Sequence, residues 1–168
     1  MSTEQNRALV LQFYKAFDQR QIETALALLA PNFVAYLAGV PEPLDSGGFK
    51  RFGMSFYSAF AEGEHRFDQV IVAADKVVTC GTFTAIHRGE FQGLPPTGKQ
   101  INLSVMHIDR VEDGKIVEYW GQGDALGLMQ QLGIIFLPDP TLVSQLVKHS
   151  LFKRFRVPSR YGKTIEPT

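Results

Sequence analysis

The stretch Gly93–Gly133, G-L-P-P-T-G-K-Q-I-N-L-S-V-M-H-I-D-R-V-E-D-G-K-I-V-E-Y-W-G-Q-G-D-A-L-G-L-M-Q-Q-L-G, decides how this chain folds. At its middle, Asp113-Gly114 separates two alternating runs. Asp-Gly suits a type I′ turn, which needs positive φ at both central residues, so the runs are expected to pair as a hairpin. With a two-residue loop Glu112 faces Lys115. Counting outward, Val111 pairs with Ile116, Asp109 with Glu118, His107 with Trp120, Val105 with Gln122 and Leu103 with Asp124. Side chains alternate across a strand, so Leu103, Val105, His107, Trp120, Gln122 and Asp124 are expected on one face. That face is mostly apolar, yet it carries an imidazole, an indole, an amide and a carboxylate. A plain core rarely holds so many polar groups, whereas a ligand pocket does.

Outward from the hairpin, the chain changes period. Leu9, Phe13, Ala16 and Phe17 fall at helical spacing, which predicts a helix over Thr3–Gln19 capped by Thr3. A short helix Ile22–Leu29 follows, closed by Pro31. Asn32–Ala38 alternates as a strand, with Tyr36 on the side of Val34 and opposite Phe33. Gly48–Phe60 is expected as a Phe-rich third helix. Arg66–Ala74, Val77–Phe91, Gln100–Glu112 and Lys115–Gly123 are consecutive strand candidates, with Asp75-Lys76 as the first tight turn. Helices followed by a run of strands mean α+β, with the helices on one face of a bent sheet. Ala125–Leu132 is predicted as a helix capped by Asp124 and ended by Gly133. After the apolar Ile134–Leu137, Pro138 and Pro140 break the chain, and a last helix runs from Thr141 to about Phe155. The tail from Pro158 is expected to fray.

G-L-P-P-T-G-K, then R-V-E-D-G-K-I-V-E-Y-W, then D-A-L-G-L-M-Q-Q-L-G resembles the SnoaL-like polyketide cyclase (ester cyclase) family, within the nuclear-transport-factor-2-like superfamily. The resemblance spans roughly residues 5–135. It implies a curved, mostly antiparallel sheet forming a cone-shaped half-barrel around the N-terminal helices, with cystatin-like topology. Residues 1–138 are then the half-barrel, and 139–168 a basic C-terminal helix and tail rather than a separate domain. The resemblance also implies a homodimer or higher homo-oligomer, formed through the convex face. It implies a reaction much more weakly than a fold.

Composition narrows the classes. The chain has 168 residues, long enough for one domain with a real core. Its charge is balanced, 17 Lys and Arg against 17 Asp and Glu, so nucleic acid is not an expected partner. The balance is uneven along the chain. Lys148, Lys153, Arg154, Arg156, Arg160 and Lys163 face only Asp139 and Glu166 in the last segment. That basic helix is expected to dock on protein, its own or a sister subunit, more readily than on a membrane. Cys80 is the single cysteine and reads as a small buried apolar residue. No signal-peptide core or membrane-length apolar run is present, and a cytoplasmic protein is expected. The four histidines, His65, His87, His107 and His149, show no metal-ligand spacing, so no metal and no cofactor is expected. His87 reads as exposed at a strand end. Gly93–Lys99 fits part of a phosphate loop, but Gln100 replaces Ser or Thr, and Pro95 and Pro96 remove donors. It reads as a rigid loop at a pocket rim.

The candidate site residues each have a bland reading beside the chemical one. Asp124 suits a helix cap, worth about 1 kcal/mol. The resemblance instead implies that it is the acid/base that removes a carbon-bound proton, a task that apolar walls favour by raising a carboxylate's pKa. His107 is either a satisfied core histidine or a second catalytic group. It would lie about 13 Å from Asp124 along a flat strand, too far for a direct dyad. Trp120, Gln122 and Val105 are expected to line the pocket, with Tyr14 and Tyr36 reaching it from the first helix and first strand. Gly121 stands where many relatives have a second acid. The expected activity is cofactor-free proton abstraction and intramolecular aldol ring closure of a hydrophobic, polyketide-like ester. The alternatives are a non-catalytic pocket for a small hydrophobic or aromatic molecule, or another isomerase or hydrolase on the same scaffold.

Overall fold

A computed structural model describes residues 2–134 and 139–154. Helix α1 (Thr3–Asp18) begins at the expected Thr3 but is capped by Ser2 rather than by Thr3, and ends one residue before Gln19. The Ser2 hydroxyl accepts from the Gln5 amide and the Gln5 side chain accepts from the Ser2 amide, closing a capping box. Helix α2 (Ile22–Leu26) is shorter than predicted, because strand β1 (Leu29–Leu37) starts before Pro31 rather than after it. The β1 register shifts between Leu29 and Val34, so Pro31, which has no N–H, sits in an irregularity of an edge strand. Helix α3 (Ser46–Ala59) is capped by the Asp45 carboxylate, which accepts from Gly48 N–H at 2.7 Å.

Strand β2 (Phe60–Ala73) begins six residues before the predicted Arg66, and β3 (Lys76–His87) ends before the predicted Phe91. The turn between them is Ala74-Asp75, with Ala74 at φ 54°, not Asp75-Lys76. Strands β4 (Gln100–Glu112) and β5 (Lys115–Gly123) and helix α4 (Ala125–Leu132) have the predicted bounds. Asp113 and Gly114 both take left-handed backbone, φ 47° and 76°, as the Asp-Gly turn requires.

The five strands form one open sheet in the order β1-β5-β4-β3-β2. β1 runs parallel to β5, and the other pairs are antiparallel. This is the expected α+β architecture, a mixed, mostly antiparallel sheet with helices over one face. β4 alternates strictly, with Ile101, Leu103, Val105, His107, Asp109 and Val111 buried. One core cluster joins Val10, Phe13 and Phe17 of α1 to Phe33, Phe49 and Ile116. A second joins Phe60, Phe83 and Ile101 to Leu128 and Leu132 of α4. Each large side chain so buried contributes roughly 1.5–3 kcal/mol. The other face of the sheet leaves Ile71, Met106, Ile108 and Trp120 exposed.

The hairpin register departs from the count made outward from its turn. Glu112 faces Lys115 and Val111 faces Ile116 as expected, but Arg110 then pairs with Glu118, skipping Val117. The extra residue is a β-bulge, and Ile116 and Val117 are buried in succession because of it. Beyond it every β5 side chain changes face. His107 pairs with Gly121, Ile108 with Trp120 and Val105 with Gly123.

The chain divides into two units, Met1–Ile134 and Ile135–Thr168. In the second, helix α5 (Pro140–Arg154) starts one residue before the predicted Thr141, and the Asp139 carboxylate accepts from Thr141 N–H at 2.7 Å. Ile135–Leu137, Pro138, Phe155 and the tail from Pro158 lie outside the described residues. Among the described residues no helix is long and apolar enough to cross a membrane.

Candidate functional site

The helix-covered face of the sheet encloses a cavity of about 360 Å³. Its walls are apolar, with Phe13, Phe49, Phe56, Leu103, Val105 and Leu128 among them. Strand β5 makes the space. Tyr119, Gly121 and Gly123 are its inward positions, and two of the three carry no side chain. A Cβ on Gly121 would come within 2.6 Å of Tyr119 Cε1 and 2.8 Å of its hydroxyl. Glycine there lets the Tyr119 ring lie along the strand and leaves His107, on the next strand, facing open space.

Of the residues expected to converge, Tyr14, Val105 and His107 line this cavity, and Gln122, an outward position of β5 paired with Met106, borders both the cavity and a groove on the opposite face. Trp120 and Tyr36 do not. They are lateral partners on β5 and β1, stacked at 4.0 Å between ring centroids, and Trp120 is 44% exposed on the opposite face. The Val117 bulge put Trp120 there. Asp124 does not join the lining either. Its Oδ1 accepts from Gly127 N–H at 2.8 Å, capping α4, and the residue borders a groove on the opposite face with Asp68, Gln69, Cys80 and Met106. The capping half of the Asp124 reading is therefore the one seen. Cys80, expected to be buried, is partly exposed in that groove. His87, expected to be exposed, is fully buried, and its Nδ1 accepts from Thr97 N–H at 3.2 Å, pinning the Gly93–Lys99 loop.

Beside the apolar walls lies a knot of buried polar groups. His107 Nδ1 is 3.1 Å from the Thr79 hydroxyl. Burial, helped by the nearby His65, lowers the His107 pKa to about 3, so its imidazole is neutral. Tyr14 donates from its hydroxyl to Asp109 Oδ2 at 2.9 Å. Asp109 is fully buried and its Oδ1 has no partner among the described residues. Burial raises its pKa to about 7, against the lowering effect of the Tyr14 bond. Burial also pushes the Tyr14 and Tyr119 hydroxyls well above their usual range, keeping both protonated. His65 lines the cavity from β2, with Nδ1 2.7 Å from Asp18 Oδ1.

Asp109 and His65 were missed in the sequence. Asp109 shares the parity of His107 on β4, which was signal enough. His65 lay outside the strand predicted to begin at Arg66. Starting β2 at Phe60 puts His65 two residues from the inward Phe67.

The sequence model of the SnoaL-like polyketide cyclases matches residues 8–132. Among solved structures, the chain is similar to AclR, a candidate hydroxylase from Streptomyces galilaeus, at TM-score 0.75 and 23% identity, over 91% of this chain and 97% of that one. It is similar to IdmH, a candidate polyketide cyclase from Streptomyces antibioticus, at TM-score 0.70 and 28% identity, over 77% and 99%. TsrD from Streptomyces laurentii aligns at TM-score 0.70 and 22% identity, over 80% and 99%. No curated protein matches the chain. AclR and TsrD share the fold, and the family match covers most of the chain, all of it within the unit that holds the cavity. The chain belongs to the SnoaL-like polyketide cyclase family.

Proposed function

We propose that this chain closes a ring in a hydrophobic, polyketide-like ester by cofactor-free proton transfer and intramolecular aldol addition inside the cavity. Family membership supports a cyclase-type function. The observation that carries the finer reading is the neutral His107 imidazole facing an apolar space across from Gly121. Aldol closure needs a base for a proton alpha to one carbonyl and donors for the oxyanion that forms. The base breaks the C–H bond, and the electron pair becomes an enolate. The enolate carbon bonds to a second carbonyl carbon, whose oxygen takes up the proton, so the mass is conserved. In the tautomer in which the Thr79 hydroxyl donates to Nδ1, the His107 Nε2–H is the donor for the developing oxyanion. In a site of low dielectric such a donor is worth more than in water. Phe13, Phe49 and Tyr119 supply flat walls for an aromatic substrate.

A second reading keeps Asp124 as the base, because its neighbours Gly123 and Ala125 both line the cavity. A synthetic aryl polyketide methyl ester, followed by chromatography for a mass-neutral product, tests both. His107→Leu should lower the closure rate about 10²–10³-fold. Asp124→Asn should leave both rate and stability nearly unchanged, since Asn also caps helices. A folded Asp124→Asn protein with no turnover would restore Asp124 as the base. Wild-type protein that binds the ester without closing it would leave a carrier pocket.

A further inference from the structure

We infer that His65, oriented by Asp18, is the proton acceptor of this cavity, acting on carbon acids whose proton lies alpha to a carbonyl. The inference rests on the proton-transfer reading above and names the base that reading needs.

Asp18 is the last residue of α1, and its carboxylate gathers three donors. His65 backbone N–H reaches Oδ2 at 2.9 Å, the His65 ring reaches Oδ1 through Nδ1 at 2.7 Å, and Tyr57 O–H reaches Oδ1 at 3.1 Å. A carboxylate only accepts, so the bond to Nδ1 puts the ring hydrogen there and leaves the Nε2 lone pair free. Among the described residues Nε2 has no hydrogen-bond partner, and His65 is part of the cavity lining. Two bonds from one residue to the two oxygens of one carboxylate fix the ring as well as its tautomer. The rings of Phe83 at 4.8 Å and Phe67 at 5.5 Å hold it further. A pair serving stability alone has no need to place its ring in the lining of an apolar cavity with one nitrogen unbonded.

The local backbone explains how His65 gets there. The β2 register shifts between Ala61 and Glu64, with Glu62 in the left-handed region at φ 54°. Gly63 passes so close to Phe83 that a Cβ would stand 2.5 Å from its ring. This bulge sets Gly63, His65 and Phe67 inward and brings the His65 amide onto the end of α1.

The division of labour follows from what faces each ring. His65 meets Tyr14 and Asp18 from α1 and His107 from β4, whose ring is 5.8 Å away, while Tyr57 of α3 bonds to Asp18. Among the described residues Asp18 is the one carboxylate hydrogen-bonded to it. When Nε2 takes the substrate proton, the new imidazolium sits against that carboxylate as an ion pair, not as a lone cation in an apolar site. His107 lacks such a partner and stays neutral, which suits an oxyanion donor. The carbon–hydrogen bond breaks, Nε2 gains the proton, the enolate carries the electron pair, and the same proton returns to the alkoxide after ring closure. His65 is thus catalytic and Asp18 a positioning residue.

The probe is 2-tetralone, a flat bicyclic ketone with acidic alpha protons, in deuterated water with exchange followed by proton NMR. Wild-type protein should exchange them. His65→Gln should lose about 10²–10⁴-fold, the usual share of a general base. His65→Ala should regain part of the rate with added imidazole. Asp18→Asn should slow exchange and lose the preference of the His65 ring hydrogen for Nδ1 in nitrogen-15 NMR, a signature that a loss of rate alone would not give. Nitrogen-15 NMR of the wild-type histidines should show His65 protonated at Nδ1 and not at Nε2, and this holds whether or not a variant folds. His65→Gln exchanging at the wild-type rate, or a His65 protonated at Nε2, overturns the inference. Exchange that survives in His65→Gln but fails in Asp124→Asn overturns it while sparing the proton-transfer reading. Bound tetralone with no exchange by wild type overturns both.

Discussion

Burial acts on Asp109 and His107 in opposite directions, and this gives a pH signature. The Asp109 pKa is about 7 in the fold against the usual 3.8, so the folded state binds more protons. Its contribution to stability is fully present below about pH 4 and is lost as pH rises through 7. The His107 pKa is about 3 against the usual 6.5, so its contribution is present above 6.5 and lost as pH falls through 3. Each shift corresponds to roughly 4–5 kcal/mol at full extent. Between about pH 4 and 6.5 the two slopes oppose, and stability should be nearly flat. In Asp109→Asn only the His107 slope remains, so stability by urea unfolding should rise with pH across that window. A flat Asp109→Asn profile would contradict the burial argument. Residue identities on β4 were legible because strict alternation fixes which side chains turn inward. His65 was not, since its place depends on a bulge at Gly63 and on the end of a helix nearly fifty residues away.

The hairpin shows what an element's sequence reveals and what it conceals. The bounds of β4, β5 and α4 followed from Asp113-Gly114, Asp124 and Gly133, each a local backbone preference. The bulge at Val117 did not, because Ile116-Val117 reads equally well as a regular strand pair. One extra residue moved Trp120 from the expected cavity wall to the far face and replaced it there with Gly121. Trp120 is the only tryptophan, so its fluorescence reports on the far face alone. Saturating 2-tetralone should leave the emission maximum unmoved, whereas a shift would place the ligand beside the Tyr36–Trp120 stack. Gly121→Ala should cost about 1–3 kcal/mol, since its Cβ must displace the Tyr119 ring. It should also weaken binding in the cavity.

At the scale of the whole molecule, the core clusters and the cavity lie within residues before Ile134. A chain ending at Pro138 should therefore fold, melt within a few degrees of the full chain and still bind 2-tetralone. Loss of folding on truncation would give the basic helix α5 a structural role. The α+β class was legible from the change of period along the chain, and the family from the string Gly93–Gly133. The chemistry of the site was less so, because it is assembled from α1, β2, β4 and β5, whose inward residues depend on bulges in two strands. The central claim is that the chemistry belongs to the helix-covered face, at His65 and His107, and not at Asp124. A crystal structure with bound 2-tetralone tests it most directly. The ketone should lie among Phe13, Phe49 and Tyr119, with its oxygen about 3 Å from His107 Nε2 and an alpha carbon next to His65 Nε2. A ketone bound in the opposite groove, against Met106 and Asp124, would contradict the account.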